Sequence, residues 1–389
     1  MTIIDTVAYK NLEVGKTYTV TGILMDKETG KAALDDAGKE IKSNTTFTAT
    51  SINGTVDVVF SFSGVKLKGK TLVAFESVSS DGVEYAVHAN INDEGQSIHI
   101  PEIHTTALDK SSGSHNILAG EKSVIVDTVA YKNLIAGKEY TVTGTLINKG
   151  TGEAVLDAEG NAITSAVKFV PEVANDSVDV TFEFDSSALE NETLVVFEEV
   201  FLNEKKVAVH ADIDDADQTM YVPKIRTTAL GKDTQDHNIL AEESTVIVDT
   251  VNYKNLIPGK EYTVTGTLMD KATGKALQDA EGNAITSTVK FTPEESDGSI
   301  DIEFTFDASG LAGTTIVVFE SVYINKKEVG VHADIEDEAQ TIYVPEIHTT
   351  ALDESSGSHN VLAGKNAVII DTVNYKNLIP GKEYTVTGT

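Results

Sequence analysis

The stretch "SIDIEFTFDAS", which runs from Ser299 to Ser309, decides the class of fold. Charged and hydroxyl side chains alternate in it with apolar ones, which occupy every second position: Ile300, Ile302, Phe304 and Phe306. A period of two is typical of a β-strand that lays one face on a hydrophobic core. Turn signals in "NLIPGKEY" and "DKATGKAL" separate similar stretches, and helical heptads are absent. The sequence therefore predicts an all-β chain.

A repeat of 122 residues organises the chain. The motif "DTVAYKNL" or "DTVNYKNL" begins at four positions: Asp5, Asp127, Asp249 and Asp371. This period is the length of a whole domain rather than of a solenoid unit. Because each repeat contains roughly eight or more short strands separated by turns, we expect tandem immunoglobulin-like β-sandwich domains.

The tripeptide "TTA" near the start of each repeat divides the chain into four predicted units. The first unit, residues 1–102, lacks the "TTA" strand. The second unit, residues 103–224, and the third unit, residues 225–346, are complete. The fourth unit, residues 347–389, holds only the N-terminal part of a further domain. We interpret the chain as part of a longer protein.

Composition narrows the range of partners. The net charge is −31, which disfavours binding to nucleic acid or to an anionic membrane. The chain has no Cys, so disulfides and thiolate metal sites are excluded. No stretch approaches the roughly 18 apolar residues of a membrane helix. Neither a signal peptide nor an anchor segment is recognisable, and the composition agrees with a secreted tandem array.

Carboxylates recur on strand faces that are otherwise apolar. Glu198 and Glu320 share the apolar faces of "TLVVFEEV" and "TIVVFESV", and Asp127 and Asp249 each lie within "VIVDTV". Burying a carboxylate without a partner costs several kcal/mol and raises its pKa. We therefore expect each acid to be neutral or held by another polar group. The alternative is a carboxyl-carboxylate pair that only specifies the strand register.

Thr, Gln and His complete the recurring set. The first Thr of each "TT" pair is expected to point to the apolar face and the second outward, and the Gln that opens "QTIYVP" also shares an apolar face. In "VAVHADI", His210 falls on the face opposite Val207 and Val209. His210 therefore reaches the core only if its strand is buried on both faces or contains a β-bulge.

These side chains suggest a reaction. A Thr hydroxyl becomes a nucleophile when a base such as His takes its proton, and a carboxylate can orient that His. An amide carbonyl becomes electrophilic when a neutral carboxylic acid donates a hydrogen bond to its oxygen. Attack of Thr on the Gln side chain would expel ammonia and leave an ester between the first and last strands of a unit.

At these residues the sequence resembles a known family, the VaFE repeat-containing surface-anchored proteins with Thr-Gln ester-bond domains. "VAFE" stands at Val73 to Glu76, and "VVFE" begins at Val195 and Val317. The motifs "HADIxDxxQT" and "IxTTA" also match, and the resemblance spans the whole chain. It implies a Gram-positive surface stalk, extracellular and anchored to the cell wall, whose complete sandwiches form internal esters without a cofactor. The ligand-binding head domain and the wall anchor are expected outside this chain.

The resemblance also implies roles for individual residues. Thr105 and Thr227 correspond to the nucleophiles and Gln218 and Gln340 to the acceptors. The bases correspond to His210 and His332. The assisting carboxylates correspond to Asp127, Glu198, Asp249 and Glu320, and which of them orients His and which donates a proton stays open.

Two units depart from the family pattern. The first unit has Asp5, Glu76, His88 and Gln96 but no matching Thr, so it is expected to close no ester of its own. The fourth unit has Thr349 and Asp371 but no matching Glu, His or Gln. Asn90 replaces the Asp found two residues after the His in the complete units, which argues against a catalytic role for that position.

Other functions agree less well with the sequence than an ester does. A turnover enzyme is disfavoured because its product would block its own site. A calcium site in "DIDDADQ" lacks the Gly and the distal Glu of an EF-hand loop. A Lys-Asn isopeptide, formed by Lys132 or another strand Lys, would need an inward Asn or Asp on the final strand. An adhesin repeat without any cross-link is the remaining alternative.

Overall fold

The computed structural model describes residues 1–389, and almost all of its regular structure is β-strand. The alternation of the sequence becomes an alternation of burial. In the strand Gly298–Phe306, the side chains of Ile302, Phe304 and Phe306 are buried, and the polar residues between them are exposed. The prediction of an all-β chain is confirmed.

The strands follow one another with the same spacing in each repeat. The first seven are β1 (Thr2–Tyr9), β2 (Thr17–Asp26), β3 (Lys42–Thr48), β4 (Gly54–Ser61), β5 (Thr71–Ser80), β6 (Val83–His88) and β7 (Ser97–His99). The next eight are β8 (Glu102–Asp109), β9 (Ser123–Lys132), β10 (Tyr140–Asn148), β11 (Thr164–Phe169), β12 (Asp176–Phe184), β13 (Thr193–Leu202), β14 (Lys205–His210) and β15 (Thr219–Tyr221).

The third repeat and the start of the fourth continue this order. Their strands are β16 (Lys224–Gly231), β17 (Thr245–Lys254), β18 (Tyr262–Asp270), β19 (Lys275–Ala276), β20 (Thr286–Phe291), β21 (Gly298–Phe306), β22 (Thr315–Ile324), β23 (Lys327–His332), β24 (Thr341–Tyr343), β25 (Glu346–Asp353) and β26 (Ile369–Lys376). The only helices are short 3-10 turns at Val65–Leu67, Glu94–Gln96, Ser187–Leu189, Ala216–Gln218 and Glu338–Gln340. None of them has the length or the apolar character to cross a membrane.

Each complete unit is a sandwich of two antiparallel sheets. In the second unit, one sheet has the order β12-β9-β8, and the other has the order β11-β10-β13-β14 with β15 also paired to β13. The third unit repeats this arrangement with β21-β17-β16 facing the sheet built around β18 and β22. Each sandwich has its own cluster of buried hydrophobic side chains, so the predicted β-sandwich fold is confirmed.

The first and fourth units have fewer strands. In the first unit β2, β3, β5, β6 and β7 form the larger sheet, but the smaller sheet contains only β1 and β4. No strand lies beside β1 as β8 lies beside β9. In the fourth unit β25 pairs with β26, and no second sheet faces them.

A β-bulge between β13 and β14 determines where the histidine points. Val200 pairs with Ala208, but the next residue, Phe201, pairs with Lys206, so Val207 is the extra residue. A bulge reverses the facing of the residues that follow it. His210 therefore lies opposite Glu198 on the inner side, and Val209 is exposed. The expectation that Val209 shares the inward face is wrong, and of the two routes open to His210 the structure has the bulge.

Candidate functional site

Four polar side chains from four parts of the second unit meet inside its sandwich. Thr105 comes from the edge strand β8, Asp127 from β9, Glu198 from β13, and Gln218 from the last residue of the 3-10 turn before β15. Thr105 is 5% exposed and the other three side chains are fully buried. The inward placement predicted for each of them is confirmed, whereas Thr106 is exposed.

Two hydrogen bonds connect these side chains in pairs. The hydroxyl of Thr105 donates to Oε2 of Glu198 at 3.0 Å. The amide Nε2 of Gln218 donates to Oδ1 of Asp127 at 3.1 Å. The carbonyl oxygen of Gln218 is buried and has no hydrogen-bond partner. The Thr105 hydroxyl and the Gln218 amide are therefore held on neighbouring carboxyl groups, and the amide oxygen has no hydrogen bond.

The two carboxyl groups are best described as sharing a proton. Oε1 of Glu198 and Oδ2 of Asp127 are both buried and have no other hydrogen-bond donor. Burial raises the pKa of Glu198 to about 10, and the nearby Asp127 carboxylate adds to the rise. Burial raises the pKa of Asp127 as well. Glu198 therefore keeps its proton at neutral pH, and that proton gives the two carboxyl groups a hydrogen bond to each other.

An aspartate that sequence reasoning missed holds the histidine. Nε2 of His210 lies 2.7 Å from Oδ2 of Asp215, whose other oxygen accepts a hydrogen bond from the backbone N–H of Asp217 and so caps the 3-10 turn. This Asp stands five residues after the His in each of the first three units, at Asp93, Asp215 and Asp337. That recurrence was the available signal, but the surrounding acidic residues of "DIDDADQ" obscured it.

The third unit has the same constellation. Thr227 donates to Glu320 at 2.9 Å, and Nε2 of Gln340 donates to Asp249 at 3.2 Å and also contacts the Thr227 hydroxyl. Burial and the Asp249 charge raise the pKa of Glu320 to about 10. Burial also raises the pKa of Asp249. The second and third units therefore share the same buried Thr, Glu, Asp and Gln, joined by equivalent hydrogen bonds.

The histidine of the third unit is more deeply buried than that of the second. The side chain of His332 is 6% exposed, and its Nε2 lies 2.8 Å from Asp337. Both Nδ1 and Nε2 are buried and neither makes a hydrogen bond of acceptable geometry, so the approach of Asp337 to Nε2 is a close contact only. Burial lowers the pKa of His332, and the Asp337 charge opposes that shift only in part. His332 is therefore neutral at pH 7, with one nitrogen free to take a proton.

The first unit contains the site without its threonine. Nδ1 and Nε2 of His88 lie 3.5 Å from Glu76 and 2.9 Å from Asp93, but the His88 side chain is 49% exposed. Burial, followed by the hydrogen bond and charge of Asp5, raises the pKa of Glu76 to about 8. Gln96 is only half-buried. The structure thus brings Asp5, Glu76, His88 and Asp93 together in a more solvent-exposed setting than in the second unit.

The fourth unit does not assemble a site. Thr349 is opposite Val373 in the β25–β26 pair, and Ala351 is opposite Asp371. Both Thr349 and Asp371 are exposed. The inward placement expected for Thr349 is wrong in this structure because no second sheet faces its strand.

The alternative chemistries find less support in the geometry. The side chain of Lys132 is 61% exposed and lies 3.7 Å from Glu102, so it points away from the core. No group of three or more His, Cys, Asp or Glu side chains is arranged to hold a metal ion. Three surface cavities of about 540 to 610 Å³ are lined by residues other than the buried Thr, Glu, Asp and Gln.

Comparison with known proteins agrees with this geometry. A family model described as the T-Q ester bond containing domain matches residues 1–100, 101–222, 223–344 and 345–389. The chain belongs to this family. The matches cover all four units, so the predicted membership of a Thr-Gln ester-bond family is confirmed. A search of curated protein sequences finds no match to the chain.

Solved structures similar to these T-Q ester bond domains share little sequence with them. One is a bacterial adhesin from Mobiluncus mulieris that contains intramolecular disulfide, isopeptide and ester bond cross-links. It is 14% identical, with 71% of this chain and 97% of that chain covered at a TM-score of 0.26. Another is a β-D-mannosidase from Dictyoglomus thermophilum, 8% identical, with 70% of this chain and 38% of that chain covered at a TM-score of 0.23. Such low scores carry no argument about function.

Proposed function

We propose that the second and third units each close an intramolecular ester, one joining Thr105 to Gln218 and the other Thr227 to Gln340. The observation that carries this proposal is the burial of a Thr hydroxyl and a Gln amide on one shared pair of carboxyl groups. A site that only fixed the strand register would not require the Thr hydroxyl and the Gln amide to be buried on the same pair of carboxyl groups. The family match supports the same chemistry.

The reaction needs only groups of the chain. The hydroxyl oxygen of Thr105 attacks the side-chain carbonyl carbon of Gln218, the new C–O bond forms, and the bond from that carbon to Nε2 breaks. Ammonia leaves with the proton that the hydroxyl has lost. Atoms therefore balance without water, metal or a second substrate.

Each remaining side chain has a role in that step. His210 takes the Thr105 proton and passes it to the leaving nitrogen, since Asp215 occupies its Nε2 and leaves Nδ1 as the acceptor. The proton between Glu198 and Asp127 is the donor available to the amide oxygen as negative charge develops there. The depth of burial strengthens this interaction, because little water screens it.

The product blocks the site that makes it. After one reaction the Thr oxygen is esterified and the strands are joined, so no second substrate is processed. Each complete unit is accordingly a single-turnover, self-cross-linking domain rather than an enzyme.

The biological role that follows is a mechanical stalk on a Gram-positive surface. The ester connects the first strand of a unit, β8 or β16, to the residue before its last strand, β15 or β24. A pulling force on the chain then passes through the ester and the next linker and does not peel the sandwich apart. The acidic, Cys-free repeat suits an extracellular protein.

Intact-mass measurement of single-residue variants tests the cross-link. The reference is the mass expected for the 389-residue chain with both esters formed. Retaining one ammonia adds about 17 Da to that mass, and we expect this in each of three variants: Thr105→Ala, Gln218→Ala and His210→Ala. The matched control is Thr106→Ala, whose side chain is exposed and which should keep the full mass loss. The Thr→Ala change alters the mass equally at both positions. Equal masses for Thr105→Ala and Thr106→Ala would therefore refute the ester in the second unit.

A further inference from the structure

The junction between consecutive complete units is short and carries a specific contact. Only Val222 and Pro223 separate β15 of the second unit from β16 of the third. Domains joined by small contacts normally reorient freely. The relative orientation of the second and third units is therefore expected to vary. The residues that surround this linker decide whether that expectation holds.

Asn255 reaches across the junction from the end of β17. Its Nδ2 donates to the backbone carbonyl of Glu192 at 2.7 Å and to that of Val222 at 3.3 Å. Its Oδ1 accepts from the hydroxyl of Thr193 at 2.9 Å. All three partners belong to the second unit, and Asn255 is 8% exposed. The amide therefore uses both donor hydrogens and its acceptor on the preceding domain.

The backbone conformation of Asn255 directs its side chain toward the second unit. Asn255 has a φ of 61°, in the left-handed region that Asn tolerates better than most residues. Its own N–H is held within the third unit by Asp297 at 3.0 Å. The side chain is thus aimed at the preceding domain by a turn that does not depend on that domain.

The same contact occurs at the preceding junction. Asn133, with a φ of 64°, donates to the carbonyls of Lys70 at 2.7 Å and Ile100 at 3.3 Å, and accepts from Thr71 at 2.9 Å. His99 adds a fourth contact, with its Nδ1 lying 3.1 Å from Oδ1 of Asn133.

The first unit supplies an internal comparison. Asn11 occupies the equivalent turn with a φ of 64°, and its N–H is held by Asn53 at 3.1 Å as in the other units. No domain precedes it in the structure, and its side chain is exposed and makes no hydrogen bond. The turn therefore forms without the contact, and the contact depends on a neighbouring unit.

A second side-chain contact also joins the second and third units. The hydroxyl of Tyr262, at the start of β18, donates to Oδ1 of Asn116 at 2.7 Å, and Asn116 is fully buried. Tyr384 makes the same contact with Asn238 at 2.8 Å at the next junction. Two separate side-chain contacts across a linker of two residues both oppose reorientation of the domains.

We infer that Asn133 and Asn255 are interdomain latches, which hold the second and third T-Q ester bond domains in one orientation on the C-terminal end of the domain before each of them. The equivalent Asn377 of the incomplete fourth unit makes no such contact. The partner of the latch is another copy of the same domain, recognised through two backbone carbonyls and a Thr hydroxyl. This makes the tandem units a stiff rod, and it does so independently of the esters.

Pulsed electron paramagnetic resonance on the full chain tests the latch. The chain has no Cys, so Ala158→Cys and Ala280→Cys, at equivalent exposed positions of the second and third units, allow two spin labels to be attached. We expect a single narrow distance distribution. Asn255→Gly removes the side chain but accepts the positive φ, and it should broaden the distribution at least about twofold as free domain motion returns.

Matched variants separate the latch from general destabilisation. Asn11→Gly makes the same change in a turn without a preceding domain and should leave the distribution unchanged. Thr193→Val removes one latch partner while the turn stays intact and should broaden the distribution by a smaller amount. Three results would each overturn the inference. The first is a broad distance distribution in the unsubstituted chain, and the second is an unchanged distribution in both Asn255→Gly and Thr193→Val. The third is a distribution that Asn11→Gly broadens as much as Asn255→Gly does.

Discussion

The first and second units hold the same Asp, Glu, His and Gln, but only the second has the strand that carries Thr. Its core contains 21 buried hydrophobic residues, against 13 in the first unit. The histidine side chain is 15% exposed in the second unit and 49% exposed in the first. The pKa of the buried Glu is raised to about 10 in the second unit and to about 8 in the first.

This comparison shows that the Thr strand has two functions. β8 brings Thr105, the proposed nucleophile, and it also covers the edge of the smaller sheet, which excludes water from the carboxyl pair. Without such a strand the pair still forms between β1 and β5, because the other strands of the sandwich position both acids. The other strands therefore suffice to bring the two acids together, whereas the exclusion of water that the proposed reaction needs depends on the first strand.

The largest difference between the units should appear in stability once the cross-link is lost. Thr227→Ala should lower the free energy of unfolding of the third unit by about 4 to 5 kcal/mol, because an ester across 113 residues restricts the unfolded chain. For a domain of this size that corresponds to a fall in melting midpoint of more than about 10 °C. Calorimetry of the full chain resolves the change, with the exposed Thr228→Ala as the matched control.

The first unit provides a second reference in the same experiment. Its transition should stay in place in both variants, since it has no ester to lose. An unchanged transition for the third unit in Thr227→Ala would mean that the cross-link is absent or contributes nothing to stability.

The aspartate beside the histidine should affect the rate of cross-linking rather than its extent. Asp215→Asn removes the charge that orients His210, and we expect ester formation in the second unit to slow by about tenfold or more. The readout is the time course of ammonia loss after refolding. Asp212→Asn is the control, because the first unit already has Asn90 at that position. Equal rates for the two variants would exclude Asp215 from the reaction.

The smallest effect concerns pH and follows from the raised pKa values of the glutamates. The folded pKa of Glu76 is about 8 against an ordinary value of 4.5, and that of Glu320 is about 10. A raised folded pKa gives stability that is fully present below the unfolded pKa and is lost as pH rises through the folded one. The first unit should stop losing stability above about pH 8, and the third should continue to about pH 10.

This pH dependence is best measured in the Thr105→Ala, Thr227→Ala double variant, in which no ester stabilises either complete unit. Melting midpoints across the alkaline range should show the two limits, and Glu320→Gln should flatten the profile of the third unit only. Profiles with the same upper limit in both units would contradict the difference in burial.

Sequence alone predicted the strands and most of the site, for a physical reason. Alternation with a period of two fixes which residues face the core, so the inward positions of Thr105, Asp127, Glu198 and Gln218 could all be predicted. Alternation fails wherever a strand contains an extra residue. The bulge at Val207 reverses the facing of His210, and no local pattern marks it.

Contacts between segments far apart in the sequence could not be predicted from the alternation of apolar and polar residues. Asp215 sits in an irregular acidic turn, where no periodicity distinguishes a side chain that binds His210 from one exposed to solvent. Sharing of a proton by Glu198 and Asp127 depends on the spacing between two sheets, which sequence does not specify. The asparagine latches involve two domains at once, so a repeat examined by itself gives no sign of them.

The number of esters in the whole chain tests the central claim most directly. Intact-mass measurement of the 389-residue protein should show a loss of about 34 Da, two molecules of ammonia, with peptide mapping assigning one to Thr105–Gln218 and one to Thr227–Gln340. The first unit, which has the acids, the His and the Gln but no Thr, should contribute nothing. A mass equal to that of the unmodified sequence would contradict the account.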